Sequence, residues 1–135
     1  MAQAQVPQEC RVVVVEDHPE TAGSLERLFR LHKVDVRIAR NGGSGLAAVR
    51  EHRPHIVFSA LQLPDMTGFE LAARIRREFA AAPVLIAIDA VDAPGNAAAA
   101  LRAGFAAHFT RPVNPMALLS LARSAALASA PREAR

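Results

Sequence analysis

Three acidic side chains and one arginine stand directly after short apolar runs in this sequence of 135 residues. They are two adjacent acids and, further along the chain, a third acid and a guanidinium: Glu16, Asp17, Asp89 and Arg111. Carboxylate oxygens are the ligands of hard divalent cations such as magnesium, whereas a guanidinium forks onto a carboxylate. Which chemistry applies depends on whether the fold brings these four side chains together.

Five short apolar runs have the composition of strands. The first, Val12–Val15, is a continuous β-branched run, which is typical of a strand buried on both faces. The other predicted strands cover 34–38, Ile56–Ser59, Val84–Ile88 and Ala106–Phe109. Segments with apolar residues at helical spacing separate them. This alternation predicts an α/β fold, a doubly wound five-stranded parallel sheet with helices on both faces.

Proline, asparagine and glycine mark the ends of the predicted helices. Pro19 begins the first helix, Asn114 precedes the last, and Gly104 ends the fourth. Gly42 and Gly43 are expected to break the chain before the second helix. The second, fourth and fifth helices are expected over Leu46–His52, Pro94–Ala103 and about 115–128.

In an open parallel sheet, ligands bind in the crevice outside the carboxyl ends of the strands. Charges that converge in such a crevice are costly to bury unless they are paired, so burial alone would not select them. The candidate site residues are therefore those that follow the strands: Glu16, Asp17, His18, Ala60, Asp89 and Arg111.

Several short motifs occur in order and at consistent spacing along the chain. The run of valines ends in Glu16-Asp17, a Leu-Pro-x-Met-x-Gly loop follows Ala60, an apolar strand follows Pro83, and Arg111-Pro112 comes near the end. Together these motifs resemble the landmarks of bacterial response-regulator receiver domains, over about residues 10–128. The resemblance implies a flavodoxin-like (βα)5 fold and a place in two-component signal transduction.

The resemblance implies roles for the acidic crevice. Glu16 and Asp17 match the acid pair that holds a magnesium ion in the family. Ala60 falls where the family carries the aspartate that accepts phosphate from a histidine kinase. Asp89 falls where the family has a threonine or serine that hydrogen-bonds the phosphoryl group.

It also implies roles at the fifth strand. Arg111 falls where the family has a lysine, and Pro112 stands at the position of a cis-proline. His108 occupies the position of the aromatic switch residue, usually tyrosine or phenylalanine. A histidine there would make the surface around it mildly sensitive to pH.

The departures from the family pattern point to a degenerate pseudo-receiver. Phosphorylation of an aspartate needs a carboxylate oxygen to attack phosphorus, and the methyl group of Ala60 has none. The Ser59 hydroxyl is expected on the other face of the strand. Asp89 would repel an incoming phosphate. Asp65 is a conceivable surrogate acceptor, although aspartates in such loops are normally turn residues.

No catalytic residue and no cofactor are therefore expected, and magnesium binding should be absent or weak. Arg111 is expected to pair with Asp89 or with one of the acid pair and to fill the space of the ion. Glu16 and Asp17 remain weak candidates for a metal site. His18 is read as solvated, and His32, His52 and His55 as surface or edge positions.

The chain is accordingly predicted to be a protein-interaction module that works without phosphorylation, and not an enzyme. Its partner would be a histidine kinase or another signalling protein. The fifth predicted helix has more apolar positions than one buried stripe needs. This favours a protein contact through helix four, strand five and helix five, with a homodimer or with a neighbouring domain. The alternative is an alanine-rich helix simply packed on the sheet.

Composition excludes several other classes. The net charge is only +3, and the cluster Arg74, Arg76 and Arg77 has no aromatic residue for stacking, so nucleic-acid binding is not expected. The longest weakly polar run is too short to span a membrane, and the start of the chain does not resemble a signal peptide. Cys10 is the only cysteine, and a cytoplasmic location is expected.

Two alternatives remain open on the same fold. One is a small flavodoxin-like enzyme or nucleotide binder, although the loop after the first strand, Glu-Asp-His-Pro-Glu, would repel phosphates and no tryptophan or tyrosine can stack a flavin. The other is a sensor whose acidic crevice binds a cationic or metal ligand. Residues 1–9 are expected to be a tail, and residues 129–135 a tail or the start of a linker.

Overall fold

The computed structural model describes residues 9–90 and 94–129, in which five strands alternate with five helices. Every predicted strand is present within one residue of its expected position. The elements in chain order are β1 (Arg11–Val15), α1 (Pro19–Leu31), β2 (Asp35–Ala39), α2 (Gly42–His52), β3 (Ile56–Ala60), α3 (Gly68–Glu78), β4 (Val84–Asp89), α4 (Asn96–Ala103), β5 (Ala107–Thr110) and α5 (Pro115–Ser129).

The strands form one parallel sheet in the order β2-β1-β3-β4-β5. The predicted doubly wound fold is therefore confirmed. The chain passes from β1 outward to β2 and then returns to β3 on the other side of β1, so the strand order reverses between β1 and β3. That reversal opens a crevice at the carboxyl ends of the strands.

The side chains of each strand alternate between two apolar clusters, one on each face of the sheet. Val12 and Val14 belong to the cluster that contains Phe29 of α1 and Leu118 of α5. Val13 and Val15 belong to the cluster on the opposite face, which is covered by α2, α3 and α4. Because both faces are covered, the strands are continuous apolar runs rather than alternating ones.

Two helix starts differ from the sequence prediction. Gly42 and Gly43 lie inside α2 instead of breaking the chain before it. The Asn41 side chain caps this helix, and Asp65 accepts the backbone N–H groups of Gly42 and Gly43, so two otherwise unpaired donors of the first turn are satisfied. The α4 helix begins at Asn96 rather than Pro94, after Gly95 with φ of 89°.

Two further predictions concern the limits of the domain and the exposure of His52. The predicted tails, 1–9 and 129–135, lie largely outside the described residues, and the domain limits stay a prediction. The expectation that His52 is a surface residue was wrong: it is 6% exposed, and its Nε2 lies 2.8 Å from the carbonyl oxygen of Asp35.

Within 9–90 and 94–129, none of the helices combines the length and apolar character that a membrane span requires.

Candidate functional site

The crevice at the carboxyl edge of the sheet contains two separate charged pairs. Arg111, just after β5, places Nη1 3.1 Å from Oε1 of Glu16, the residue after β1. His108 in β5 places Nε2 3.2 Å from Oδ2 of Asp89, the last residue of β4. The sheet therefore brings the predicted residues of β1, β4 and β5 to one edge, and each buried carboxylate faces a nitrogen donor of the same chain.

Glu16 is fully buried. Its Oε1 accepts from Arg111, its Oε2 accepts the backbone N–H of His18 at 3.0 Å, and its own N–H donates to the Ala39 carbonyl. Burial raises the pKa of Glu16 above its ordinary value, and the His18 N–H and the Arg111 charge offset this only in part. Both carboxylate oxygens are thus already used inside the protein.

The neighbours of Glu16 point in different directions. Asp17 is exposed, and no hydrogen bond or ion pair of its side chain occurs within the described part of the chain. His18 caps α1: its Nδ1 accepts from the backbone N–H of Thr21 at 3.4 Å. The acid pair of the sequence is therefore split, with one member buried and paired and the other facing solvent.

Asp89 is 3% exposed and has three partners. Oδ1 accepts the N–H of Ala90 at 2.9 Å, and Oδ2 accepts from the Asn96 amide at 2.7 Å and from His108. Burial would raise the pKa of Asp89, but these hydrogen bonds outweigh it and hold the pKa below its ordinary value. Because the ionised carboxylate only accepts, the Nε2 atom of His108 carries the hydrogen.

Asn96 is a site residue that the sequence reasoning missed. It is the first residue of α4, and its amide ties that helix to the end of β4. Asp89 therefore joins three elements, since β5 is attached through His108 and α4 through Asn96. A polar residue at a helix start, seven positions after an acid, was the only available signal.

Ala60 closes β3 between these two pairs and is 2% exposed. Its carbonyl oxygen accepts the hydroxyl of Ser59 at 2.9 Å, so that hydroxyl is engaged. Gly68, at the start of α3, approaches the same carbonyl so closely that an added Cβ would lie 2.3 Å from it. The end of β3 thus presents backbone atoms and the methyl group of Ala60, and it packs against the start of α3.

Asp65 lies in the loop between β3 and α3 and accepts two backbone N–H groups, from Gly42 at 2.7 Å and Gly43 at 2.9 Å. These hydrogen bonds lower the pKa of Asp65. Its carboxylate therefore connects the loop to the start of α2.

The Arg111–Pro112 peptide bond is cis, as expected for the cis-proline position.

The donor set of the crevice does not fit a magnesium ion. Magnesium requires several oxygen ligands in near-octahedral geometry. The oxygens of Glu16 and Asp89 are held by Arg111, His108, Asn96 and backbone N–H groups. A search of 9–90 and 94–129 finds no group of three or more histidine, cysteine or acidic side chains that could hold a metal.

Comparisons with known sequences agree on one family. A family model described as the response regulator receiver domain matches residues 12–123. An uncharacterized 14.6 kDa protein of Leptolyngbya boryana is 33% identical over 122 residues, which cover 89% of this chain and 92% of that protein. Protein PilH of Pseudomonas aeruginosa is 29% identical over 111 residues, covering 81% and 91%.

A third relative is much longer than the matched region. The probable transcriptional regulatory protein TcrX of Mycobacterium tuberculosis is 34% identical over 105 residues, which cover 78% of this chain but only 44% of TcrX. The chain therefore spans less than half the length of that relative.

Solved structures of similar chains have the same fold. The receiver domain of Ssk1 from Saccharomyces cerevisiae, co-crystallised with the histidine phosphotransfer protein Ypd1, matches with a TM-score of 0.79 at 28% identity, over 91% of this chain and 92% of that one. A CheY-like receiver domain protein from Methanospirillum hungatei also gives a TM-score of 0.79, at 25% identity, over 89% and 95%.

Proposed function

The chain belongs to the response regulator receiver domain family, a family of signalling modules in two-component systems, and from this membership we propose that it is a degenerate receiver that acts through protein contacts without being phosphorylated. The main support for this proposal is the alanine at position 60. If this residue occupies the phosphoacceptor position, as the motif order implies, the position has no oxygen with which to attack phosphorus.

The charges around Ala60 support the same proposal. Arg111 is bound to buried Glu16, so it is not free to clamp a phosphoryl group. Asp89 places an ionised carboxylate where the family pattern has a hydroxyl, and a dianionic phosphoryl group would meet repulsion there. The crevice satisfies its own charges and has no need of magnesium or phosphate.

The alternative functions gain no comparable support. A flavodoxin-like enzyme or nucleotide binder would need phosphate donors after β1, and that loop presents the exposed carboxylate of Asp17. A metal-binding sensor would need several free oxygens that converge, but those of Glu16 and Asp89 are occupied and the Asp17 carboxylate faces solvent. We therefore keep a protein-interaction module, with the domain limits at residues 10 and 128, as the proposed function.

A signalling protein such as a histidine kinase or phosphotransfer protein is the proposed partner. The Ssk1 receiver, which this chain resembles, was crystallised with such a protein, Ypd1.

A homodimer through α4, β5 and α5 is also proposed, since Leu101 of α4 is 57% exposed and Met116 of α5 is 53% exposed. Sedimentation of the chain and of an L101Q/M116Q variant tests the dimer, which only the unaltered chain should form.

Incubation with acetyl phosphate and magnesium, followed by intact-mass spectrometry, tests the main proposal. The unaltered chain should gain no phosphoryl group. The A60D/R111K variant should also stay unlabelled, because Asp89 still repels the phosphate, whereas A60D/D89T/R111K should accept it and thereby validate the assay. Stable labelling of the unaltered chain would refute phosphorylation independence, and labelling of A60D/R111K to the same extent as A60D/D89T/R111K would refute the role given to Asp89.

A further inference from the structure

The amino edge of the sheet, opposite the acidic crevice, contains a cavity of about 450 Å³. It lies where the start of β1, the turn after α2 and the link between α3 and β4 meet. Two arginines, a histidine and a phenylalanine contribute to its lining, together with prolines and alanines of the two links. The residues that the argument uses are Arg11, Arg53, His55, Phe79 and Pro83.

Arg11 is held in place by the backbone of the turn after α2. Its Nε donates to the carbonyl oxygens of His52 at 3.1 Å and Arg53 at 2.9 Å. These bonds fix the guanidinium at the wall of the cavity while its side chain stays 27% exposed. Within the described part of the chain, its Nη1 contacts the exposed carboxylate of Glu9, a weak surface pair that a stronger ligand can displace.

Arg53 supplies the second guanidinium. It is the C-cap of α2, with φ of 52°, and its guanidinium carbon lies 5.8 Å from the ring centre of Phe79. This stacking orders the charged group, and its Nε donates to the carbonyl oxygen of Arg50 at 3.3 Å. Its two Nη groups have no hydrogen-bond partner among residues 9–90 and 94–129. The left-handed backbone at Arg53 is what turns the chain toward β3 and exposes the side chain.

His55 adds a neutral donor. Its Nδ1 accepts the backbone N–H of Arg11 at 3.1 Å, so the ring hydrogen of the neutral form lies on Nε2. Burial and the neighbouring Arg11 charge lower the pKa of His55, which keeps the ring neutral. No partner for Nε2 occurs among residues 9–90 and 94–129, and this nitrogen is a hydrogen-bond donor at the cavity.

Among residues 9–90 and 94–129, no acidic side chain lines the cavity. The nearby Arg50 is already paired with Glu78, at 3.0 Å between Nη2 and Oε1. The described lining therefore carries two guanidiniums, and these lie beside the apolar surfaces of Phe79 and Pro83. Two guanidiniums beside apolar walls suit a carboxylate that is attached to apolar groups.

We propose that this cavity binds an acidic segment of a partner protein, with one carboxylate between Arg11 and Arg53 and a neighbouring apolar side chain against Phe79. Nucleic acid is disfavoured, because its binding requires many cations along a backbone and this cavity offers two. The site is separate from the crevice, so it would operate whether or not the chain accepts phosphate.

Nuclear magnetic resonance titration of the full ¹⁵N-labelled chain tests this proposal. The probe is the peptide acetyl-Leu-Glu-Leu-Glu-Leu-amide, and the comparison ligands are its glutamine counterpart and sodium acetate. We expect shifts of the amides around residues 53–55 and 79–84 with the glutamate peptide, and much weaker effects with the other two ligands. Equal effects of the glutamine peptide, or of acetate, would overturn the proposal.

A variant and a control complete the test. R53N removes the guanidinium while keeping a residue that tolerates the left-handed conformation. R53N should weaken binding of the glutamate peptide at least about fivefold, as expected for loss of a charge-assisted hydrogen bond. R27Q removes an equal charge from an exposed position on α1 and should leave binding unchanged. Equal binding by R53N and R27Q would refute the site.

Discussion

At the carboxyl edge of the sheet, Glu16 and Asp89 are buried and each faces a donor from β5, whereas at the amino edge Arg11 and Arg53 line an open cavity. At the carboxyl edge, the charged groups pair with one another within the chain. At the amino edge, the guanidinium donors line a space that a ligand can enter. Both edges of this one sheet carry charged residues, and we expect those of the carboxyl edge to contribute more to the stability of the fold.

The difference follows from burial. A carboxylate at 0 to 3% exposure must have partners in the folded chain, because water cannot supply them. The arginines of the amino edge keep part of their surface in water, so their pairing is optional. Altering the carboxyl edge should therefore change the free energy of unfolding, while altering the amino edge should change binding alone.

The largest expected effect comes from breaking the Glu16–Arg111 pair. R111M leaves the Glu16 carboxylate buried without its cation, and we expect a loss of about 2 to 3 kcal/mol, slightly below the usual range because Arg111 is 21% exposed. Urea unfolding at neutral pH measures it. Adding E16Q should recover part of the loss, since the uncompensated charge is then gone. An R111M variant as stable as the unaltered chain would show that the pair does not close the crevice.

Removal of Asp89 should have the next largest effect. D89A leaves the Asn96 amide and the His108 ring without an acceptor, and we expect a loss of about 2 kcal/mol. Hydrogen exchange should accelerate at the start of α4 and in β5, the elements that Asp89 joins. D89N keeps one acceptor oxygen and should lose less. Unchanged exchange in α4 of D89A would contradict the joining role.

The strands and the edge where the site lies could be predicted from the sequence. Val12–Val15 and Val84–Ile88 are β-branched or aliphatic runs bounded by charged or turn residues, so their limits are sharp. Because parallel strands end at one edge, the residues that follow them had to converge. Arg111 was predicted to pair with Asp89 or with one of the acid pair, and its partner is Glu16.

The parts that failed depend on contacts between distant segments. The start of α2 at Gly42 is stabilised by Asp65, a residue 23 positions away, and no local pattern signals this. His52 looks exposed at a polar helix end but reaches the backbone of β2. Asn96 contacts Asp89 because the start of α4 lies beside the end of β4. Helix propensity and periodicity do not contain such information.

The pH dependence of stability should separate the two carboxylates. The pKa of Glu16 is raised in the folded chain, so between its ordinary and raised values the folded chain holds a proton that the unfolded chain has lost, and stability falls as the pH rises through that window. Asp89 acts in the opposite direction: its pKa is lowered, so its contribution is lost as the pH falls through its folded-state value.

Urea midpoints of the unaltered chain and of E16Q, measured between about pH 3 and pH 8, test this assignment. The difference between the two isolates Glu16 from His55, whose lowered pKa makes stability rise with pH. That difference should change in favour of E16Q as the pH rises, and the loss at acidic pH should persist in both. A constant difference would show that Glu16 does not titrate abnormally.

The smallest expected effect on stability is at the amino edge. R53N should change the free energy of unfolding by no more than about 0.5 kcal/mol, because Arg53 is exposed and asparagine accepts its backbone conformation. Urea unfolding of R53N, with R27Q as the control, measures this. A loss as large as that of R111M would mean that the guanidinium supports the turn after α2 through its contact with Phe79. The contrast between the two edges would then fail, since the charged residues of both would stabilise the fold.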